Sequence, residues 1–216
     1  MTELTFEPMR RAMVASQLRT TGVNDPRVVA AMGEVARERF VPVERAALAY
    51  ADATVPLADG RALNPPMVLG RLLTEAQLQG HERALVIGAG TGYAATVLAR
   101  LVGSVTAVEE DAALLATARE ALAGSGVTLV EGPLNAGWAA AAPYDFILID
   151  GAVEHLPQAI VEQAADGARI GFALLDRGVT RLAIGRAVAG AFGFAAFADA
   201  AVAILPGFEK PRNFVF

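Results

Sequence analysis

An apolar run that ends in three alternating glycines constrains the fold of this chain more than any other feature. Residues 83–92 read Arg-Ala-Leu-Val-Ile-Gly-Ala-Gly-Thr-Gly, which predicts a buried strand, a tight turn and the start of a helix. The next apolar run, residues 104–109, ends on Glu109. An acid at that strand end lies where a ribose would bind in a nucleotide-binding α/β unit. The pattern predicts a cofactor site that includes Gly88, Ala89, Gly90, Thr91, Gly92 and Glu109.

The spacing of the glycines favours S-adenosylmethionine over a nicotinamide dinucleotide. A dinucleotide fingerprint requires Gly or Ala three residues beyond its second glycine, where the helix packs on the strand, and this chain has Tyr93 there. An alternative stays open, in which the glycines serve only the backbone of a left-handed turn. Glu110 and Asp111 are expected to be solvated residues at a helix start, where the helix dipole favours acids.

The composition excludes several other kinds of site. The 216 residues include no cysteine and only two histidines, His81 and His155, so neither a thiolate nucleophile nor a metal site is expected. A net charge of −5 disfavours a general nucleic-acid binder, which needs a basic face. Uncharged stretches fall short of the roughly 18 residues that a membrane-spanning helix needs. The amino terminus carries Glu3 and Glu7 where a secretory signal would be basic, so a cytoplasmic protein is expected.

The chain divides into a cover region and an α/β region, which are expected to share one core. Residues 1–80 hold helical patterns at 7–20, 26–32 and 67–79, and Asp25 before Pro26 predicts a capped helix start. Residues 81–216 alternate apolar strands with helical segments, which predicts a parallel sheet with helices on both faces. The predicted strands are 83–87, 104–109, 126–131, 144–150, 168–175, 194–205 and 213–216, and the predicted helices are 92–101, 110–123 and 156–165.

Several segments are similar to those of one enzyme family. They are residues 13–18, 22–28, 35–42, 49–52, 56–57 and 60, followed by 85–95, 137–138 and 142–145. In this order they resemble the protein-L-isoaspartate O-methyltransferases, over about residues 9–175. The run from 9 to 60 is the more specific part of the resemblance, because generic methyltransferases lack it.

The resemblance implies an α/β fold, a Rossmann-like class I S-adenosylmethionine-dependent methyltransferase sheet with an amino-terminal helical extension. It implies a cytosolic repair enzyme that methylates the carboxylate of isoaspartyl residues. Its partners would be damaged proteins or peptides, with neither nucleic acid nor a membrane involved. It also implies cofactor contacts at Leu63 and Gly132, in addition to the glycine turn and Glu109. The oligomeric state stays open.

The chain departs from the family pattern mainly where the acceptor would bind. Family members commonly read Gly-Gln-Thr-Ile-Ser-Gln-Pro where residues 60–66 of this chain read Gly-Arg-Ala-Leu-Asn-Pro-Pro. Asn64 therefore replaces a serine that the resemblance places near the transferred methyl group and the substrate carboxylate. Its amide can donate hydrogen bonds, but Asn before Pro also commonly organises a turn. Arg61 is expected either to pair with a carboxylate substrate or to be a solvated loop arginine.

Three further differences concern the cofactor side. Val86 stands where the family usually has an acid, and Pro133 replaces the aspartate of a Gly-Asp pair beside the adenine. Asp150, at the end of the fourth strand of the α/β region, is an additional acid that either faces the methyl donor or caps the next helix. Because the glycine turn and Glu109 remain, we expect S-adenosylmethionine to bind, although more weakly.

Three functions are consistent with these residues. The first is isoaspartate repair, in which Asn64 is the catalytic position that orients the acceptor carboxylate. The second keeps the fold and the methyl donor but serves another acceptor, because the family serine is lost. The third is a module that binds the cofactor or a partner protein without turnover. The fold alone does not decide among them, because function resides in the site.

Overall fold

The computed structural model describes residues 5–58 and 60–210. Two short strands, β1 (Val55–Pro56) and β2 (Ala62–Leu63), pair antiparallel ahead of the main sheet. The main sheet consists of β3 (Arg83–Ile87), β4 (Ser104–Glu109), β5 (Thr128–Glu131), β6 (Tyr144–Val153), β7 (Ala164–Asp176), β8 (Val179–Val188) and β9 (Ala191–Asp199). Its strand order is β5-β4-β3-β6-β7-β8-β9.

Helices lie ahead of the sheet and between its strands. The α-helices are α1 (Phe6–Met13), α2 (Pro26–Glu34), α3 (Pro66–Ala76), α4 (Tyr93–Leu98), α5 (Ala112–Ala121) and α6 (Gln158–Val161). A π-helical segment, Val14–Leu18, continues α1, and shorter 3-10 turns join several elements. Within the described residues, every helix is too short or too polar to cross a bilayer.

The strands from β3 to β7 run parallel, as the alternation of strands and helices predicts. Strand β3 lies at the centre, where Leu85 pairs with Thr106 of β4 and with Ile147 of β6. Because the chain moves outward from β3 in both directions, the strand order reverses beside it. Sheets of this class bind ligands at that reversal, outside the carboxyl ends of the strands. Gly88 and Glu109 lie at this edge.

Buried side chains cover both faces of the sheet. Ala84 and Val86 of β3 belong to a cluster that also contains Met13 of α1, whereas Leu85 and Ile87 belong to a cluster on the opposite face. This alternation is what a strand buried on both faces requires. The amino-terminal helices therefore lie on the face of the sheet that Ala84 and Val86 line. There α3 packs on β7 and β8, and α2 packs on α3 and α4.

Two predicted helix starts are confirmed by their caps. Asp25 accepts the backbone N–H of Arg27 at 2.8 Å, and Pro26 takes the first helical position of α2. Asp111 caps α5 in the same way, because its carboxylate accepts two backbone N–H groups at 2.9 and 2.8 Å. These short polar residues fix where each helix begins.

The carboxyl-terminal part departs furthest from the predicted elements. The helix predicted over 156–165 is wrong for most of its length, since α6 has four residues and β7 begins at Ala164. The backbone carbonyl of Gln163 accepts the N–H of Tyr144 at 2.9 Å, which aligns the chain with β6 and ends the helix. The strand predicted over 194–205 is displaced to β9, and β8 has no counterpart among the predictions. The strand predicted over 213–216 lies outside the described residues.

Strands β7, β8 and β9 form an antiparallel meander. The first turn contains Arg177 and Gly178, with φ of +49° and +80°, and the second contains Ala189 and Gly190, with φ of +50° and +78°. Two successive residues with positive φ are typical of type I′ turns, whose twist matches that of the strands they join. The meander extends the parallel sheet by an antiparallel edge.

Candidate functional site

The glycine turn after β3 has the backbone that its sequence predicts. Gly88, Gly90 and Gly92 have φ of +79°, +56° and +98°, a region that glycine adopts without steric cost. The N–H groups of Gly88 and Ala89 donate to one carbonyl of β4, that of the residue before Glu109, at 3.1 and 3.0 Å. The turn is therefore fixed to the end of β4, beside Glu109, the residue predicted to bind the ribose.

The Glu109 carboxylate is fully buried and surrounded by donors. Its Oε2 accepts the N–H of Gly90 at 2.7 Å, and its Oε1 accepts the N–H groups of Glu110 and Asp111 at 3.0 and 3.1 Å. Arg61 adds two more bonds, from Nη1 to Oε1 at 2.7 Å and from Nη2 to Oε2 at 3.0 Å. A buried charge needs such partners, because removing it from water is costly. Glu109 thus lies at the predicted strand end, where both its oxygens are already engaged.

Arg61 follows the turn between β1 and β2, and only 8% of the residue is exposed. The expectation of a solvated loop arginine is therefore wrong. The guanidinium makes a bidentate pair with Glu109, a planar geometry that lysine cannot reproduce. Pairing of Arg61 with a substrate carboxylate stays a prediction, and in this conformation the guanidinium already has a carboxylate partner.

Asn64 connects three parts of the molecule and is 4% exposed. Its side-chain Nδ2 donates to Oδ1 of Asp150 at 3.0 Å, and its Oδ1 accepts the N–H of Ala203 at 2.9 Å. Its backbone carbonyl accepts a hydrogen bond from the guanidinium of Arg37. A catalytic role for Asn64 stays a prediction, and both ends of its amide already have partners within the chain.

Asp150 lies in β6, next to this polar cluster. The prediction that it caps a following helix is wrong, because β6 continues to Val153. Burial raises the pKa of the Asp150 carboxyl above its ordinary value, and the nearby charge of Glu109 acts in the same direction. The hydrogen bond from Asn64 and the positive charges of Arg37 and Arg61 lower that pKa and offset part of the rise.

Arg37 is also buried in this cluster, and the sequence does not predict it as a site residue. Its guanidinium carbon lies 4.6 Å from the centre of the Tyr93 ring, and its Nε donates to the carbonyl of Ala49 at 2.6 Å. Burial lowers the pKa of Arg37, whereas Tyr93 and Asp150 act in the opposite direction. Glu34, Glu38 and Arg39 lie nearby in the sequence, and so many charges are typical of a solvated surface, so the segment gives no sign that this arginine is buried.

Of the remaining predicted site residues, Thr91 belongs to the glycine turn, Gly132 is bonded to the end of β4, and Leu63 lies in β2. Leu63 is buried, and the Thr91 hydroxyl donates to the carbonyl of Phe40 at 2.6 Å. The N–H of Gly132 donates to the backbone carbonyl of Glu109 at 3.1 Å. The structure therefore brings the glycine turn, Glu109 and Gly132 together at one edge of the sheet.

The protein's own side chains fill the space in front of the glycine turn. A Cβ atom placed on Gly88 would lie 2.8 Å from Cδ1 of Leu205 and 3.4 Å from Nη2 of Arg61. Leu205 reaches this position because its N–H donates to the carbonyl of Ala152 at 2.9 Å, and the preceding residue, Ile204, forms a bridge with the same part of β6. The side chains of Arg61 and Leu205 therefore both lie close to Gly88 of the turn.

Comparison with known sequences gives one family. A profile described as protein-L-isoaspartate(D-aspartate) O-methyltransferase matches residues 9–175. Protein-L-isoaspartate O-methyltransferase 1 of Rhodopseudomonas palustris strain HaA2 is 42% identical over 168 residues, which are 76% of this chain and 69% of that relative. A protein-L-isoaspartate O-methyltransferase of Methylorubrum populi is 42% identical over 163 residues, which are 74% of this chain and 77% of that relative.

Comparison with solved structures confirms the Rossmann-like methyltransferase fold. A protein-L-isoaspartate O-methyltransferase aligns with a TM-score of 0.80 at 22% identity, covering 92% of this chain and 66% of its own. A Plasmodium falciparum protein, described as a protein-L-isoaspartate O-methyltransferase and crystallised with S-adenosyl-L-homocysteine, aligns with a TM-score of 0.78 at 15% identity, covering 97% of this chain and 100% of its own. At such identities the likeness concerns the fold. The match over residues 9–175 and the identities of 42% together establish that this chain belongs to the protein-L-isoaspartate (D-aspartate) O-methyltransferase family.

Proposed function

We propose that this protein transfers the methyl group of S-adenosylmethionine to the carboxylate of isoaspartyl residues in damaged proteins. The observation that carries the proposal is the family match over residues 9–175, which includes the amino-terminal segments as well as the glycine turn. The glycine turn and the buried acid at the end of β4 are the groups that this class of sheet uses for a nucleotide-like ligand.

The chemistry of this reaction suits the residues that the chain has. The free carboxyl group of an isoaspartyl residue is an α-carboxyl, whose reference pKa is below about 4, so it is ionised at neutral pH and needs no general base. The scarcity of histidine and the absence of cysteine in the sequence are then no obstacle. The protein has to hold two reactants in line, and such positioning contributes about 7–11 kcal/mol to lowering a barrier.

The donor set fits the cofactor, although Arg61 already holds the Glu109 carboxylate in this conformation. The Glu109 carboxylate would accept the ribose hydroxyls, with the glycine turn and Gly132 beside it. When bound, S-adenosylmethionine supplies a methyl group on a positively charged sulfur. The Arg61 guanidinium is bonded to both oxygens of the Glu109 carboxylate, so it has to move before the ribose can bind there.

Asn64 favours a second candidate function, a methyltransferase of the same fold that serves another acceptor. Its amide nitrogen is bonded to Asp150 and its amide oxygen to the N–H of Ala203. Because both polar ends of the Asn64 amide already have partners, this side chain has less hydrogen-bonding capacity left for an acceptor carboxylate than a free hydroxyl would have. A non-catalytic module that binds the cofactor remains the third hypothesis.

Transfer of labelled methyl tests the proposal directly. The acceptors are two peptides of one sequence, one with an isoaspartyl linkage and the other with a normal aspartyl linkage. Methylation of the isoaspartyl peptide alone is the expected result. If S-adenosylmethionine binds and neither peptide is methylated, the repair function is wrong, and either another acceptor or the non-catalytic hypothesis replaces it.

We also propose damaged proteins or peptides as the partners and the cytoplasm as the location. Family membership supports the first of these, and the second rests on the sequence pattern alone. A labelled-methyl experiment on an aged cell extract would test the partners, because aged proteins should accept methyl groups in proportion to their isoaspartyl content. The location would be tested by fractionation of the source cells.

A further inference from the structure

The Arg61–Glu109 pair lies in the position that the proposed cofactor needs. Both groups are buried, and the two nitrogen–oxygen distances are 2.7 and 3.0 Å. The planar fork of arginine matches the two oxygens of a carboxylate, so this pair uses the edge of Glu109 that would otherwise accept two hydroxyl groups of a ribose. The guanidinium also lies against the glycine turn, because its Nη2 is 3.4 Å from a Cβ placed on Gly88.

Glu109 does not depend on Arg61 alone for its hydrogen bonds. Three backbone N–H groups, those of Gly90, Glu110 and Asp111, donate to the same carboxylate at 2.7, 3.0 and 3.1 Å. These donors belong to the turn and the strand end, and they remain when the guanidinium leaves. The carboxylate can therefore exchange Arg61 for another donor without being left as an unpaired buried charge.

The Arg61 side chain lies next to a cavity that could accommodate it. A surface cavity of about 420 Å³ lies beside the β1–β2 turn, and its lining includes Arg45, Leu57, Gly60 and Arg61 itself. Arg61 already lines this open cavity while its guanidinium points to Glu109. A change of side-chain rotamer into the cavity would hydrate the guanidinium and leave the edge of Glu109 free.

We propose that Arg61 is an internal competitor of the cofactor, which occupies the ribose-binding edge of Glu109 until the cofactor displaces it. This inference rests on the proposed function, because it assumes that the ribose binds at Glu109. A protein whose binding-competent state is only partly populated shows an apparent affinity reduced by that fraction. Arg61 thereby sets the affinity of the protein for its methyl donor.

The experiment compares the wild type with Arg61→Gln, a neutral variant of similar length, by calorimetric titration with S-adenosylhomocysteine. The matched control is Arg169→Gln, which breaks a second largely buried bidentate pair, Arg169 with Glu82 at 2.7 and 2.8 Å, on a different part of the sheet. We expect Arg61→Gln to bind at least about tenfold more tightly than the wild type, and Arg169→Gln to bind as the wild type does.

A second variant and a second measurement guard against loss of folding. Arg61→Lys keeps the charge but loses the bidentate geometry, so its affinity should lie between those of the wild type and Arg61→Gln. Thermal melts show whether each variant is folded, and S-adenosylhomocysteine should raise the melting temperature of Arg61→Gln more than that of the wild type.

The outcomes separate this inference from the proposed function. Folded Arg61 variants that bind S-adenosylhomocysteine no more tightly than the wild type, or not at all, overturn the competitor role, even if the wild type methylates isoaspartyl peptide. Weaker binding by both variants overturns it as well and makes Arg61 a cofactor ligand. If Arg61→Gln binds S-adenosylhomocysteine more tightly but the wild type does not methylate isoaspartyl peptide, the competitor role is supported and the repair function is contradicted.

Discussion

The amide nitrogen of Asn64 and the carboxylate of Asp150 are joined by a hydrogen bond of 3.0 Å that connects the β2–α3 loop to β6. The other end of the same amide accepts the N–H of Ala203 at 2.9 Å. Asn64 therefore joins three segments that are distant in sequence. A residue in this position affects the stability of the site as well as any reaction that takes place there.

Replacement of Asn64 should reveal both effects. Asn64→Ala leaves the N–H of Ala203 without its partner, and we expect the free energy of unfolding to fall by about 1–3 kcal/mol, the cost of an unsatisfied buried group. If Asn64 also orients the acceptor, Asn64→Ala should lower the methylation rate with little change in donor affinity, whereas Asn64→Ser should retain or raise the rate. Denaturant titration and labelled-methyl assays measure the two effects. A wild-type rate in a folded Asn64→Ala protein would exclude Asn64 from the reaction.

Glu109 is expected to bind the methyl donor through its charge. The test is made in the Arg61→Gln background, so that no buried arginine is left unpaired when the acid is removed. Adding Glu109→Gln should weaken binding of S-adenosylhomocysteine by about 1.5–3 kcal/mol, the range for hydrogen bonds to a charged group. Calorimetry gives the two dissociation constants. Equal affinity of the single and double variants would remove Glu109 from the binding site.

Leu205 is expected to contribute to stability as a core residue. It is 3% exposed and lies over Gly88 and Gly151, so Leu205→Ala should cost about 2–5 kcal/mol through lost burial and the cavity it leaves. Its neighbour Ile204 is 58% exposed, and Ile204→Ala should change stability by less than about 0.5 kcal/mol. Chemical denaturation compares the two variants. A similar cost for both would mean that this segment does not pack on the turn in solution.

Titration of Asp150 should make stability depend on pH in a predictable direction. Because the pKa of its carboxyl is raised in the folded state, its contribution to stability is fully present below the unfolded pKa and is lost as pH rises through the folded pKa. Asp150→Asn removes this dependence and keeps an oxygen that can accept from Asn64. In melts from about pH 4 to about pH 8, the variant should gain stability relative to the wild type as pH rises. A constant difference would contradict the raised pKa.

The sequence predicts the parts of the site that depend on local pattern. The glycine turn, the acid at the end of β4, the cap at Asp25 and the helix start at Asp111 each follow from a few neighbouring residues. The two capping bonds of Asp111 go beyond the prediction, which places it there only as a solvated acid. The parallel direction of the strands from β3 to β7 follows from the alternation of strands and helices. These features require no knowledge of which distant residues meet.

The sequence does not indicate which distant residues contact each other. Arg61 and Glu109 are 48 residues apart, and nothing near Arg61 in sequence indicates that its partner is Glu109. Arg37 is buried although its neighbours in sequence are charged. Strand β8 could have been predicted in part, because the residue pairs at its two turns, Arg177-Gly178 and Ala189-Gly190, each end in glycine and adopt positive φ. These pairs are weaker hairpin signals than Asn-Gly or Asp-Gly, which accept that conformation more readily.

The bridge between Ile204 and Ala152 has a consequence for how this protein varies among its near relatives. It brings a stretch beyond residue 175, where the family match ends, against the glycine turn inside that match. A change in the size of residue 205 alters the room at residue 88, where the guanidinium of Arg61 also lies. Close homologues should therefore show correlated substitutions between residues 205 and 61, although the two are far apart in the sequence.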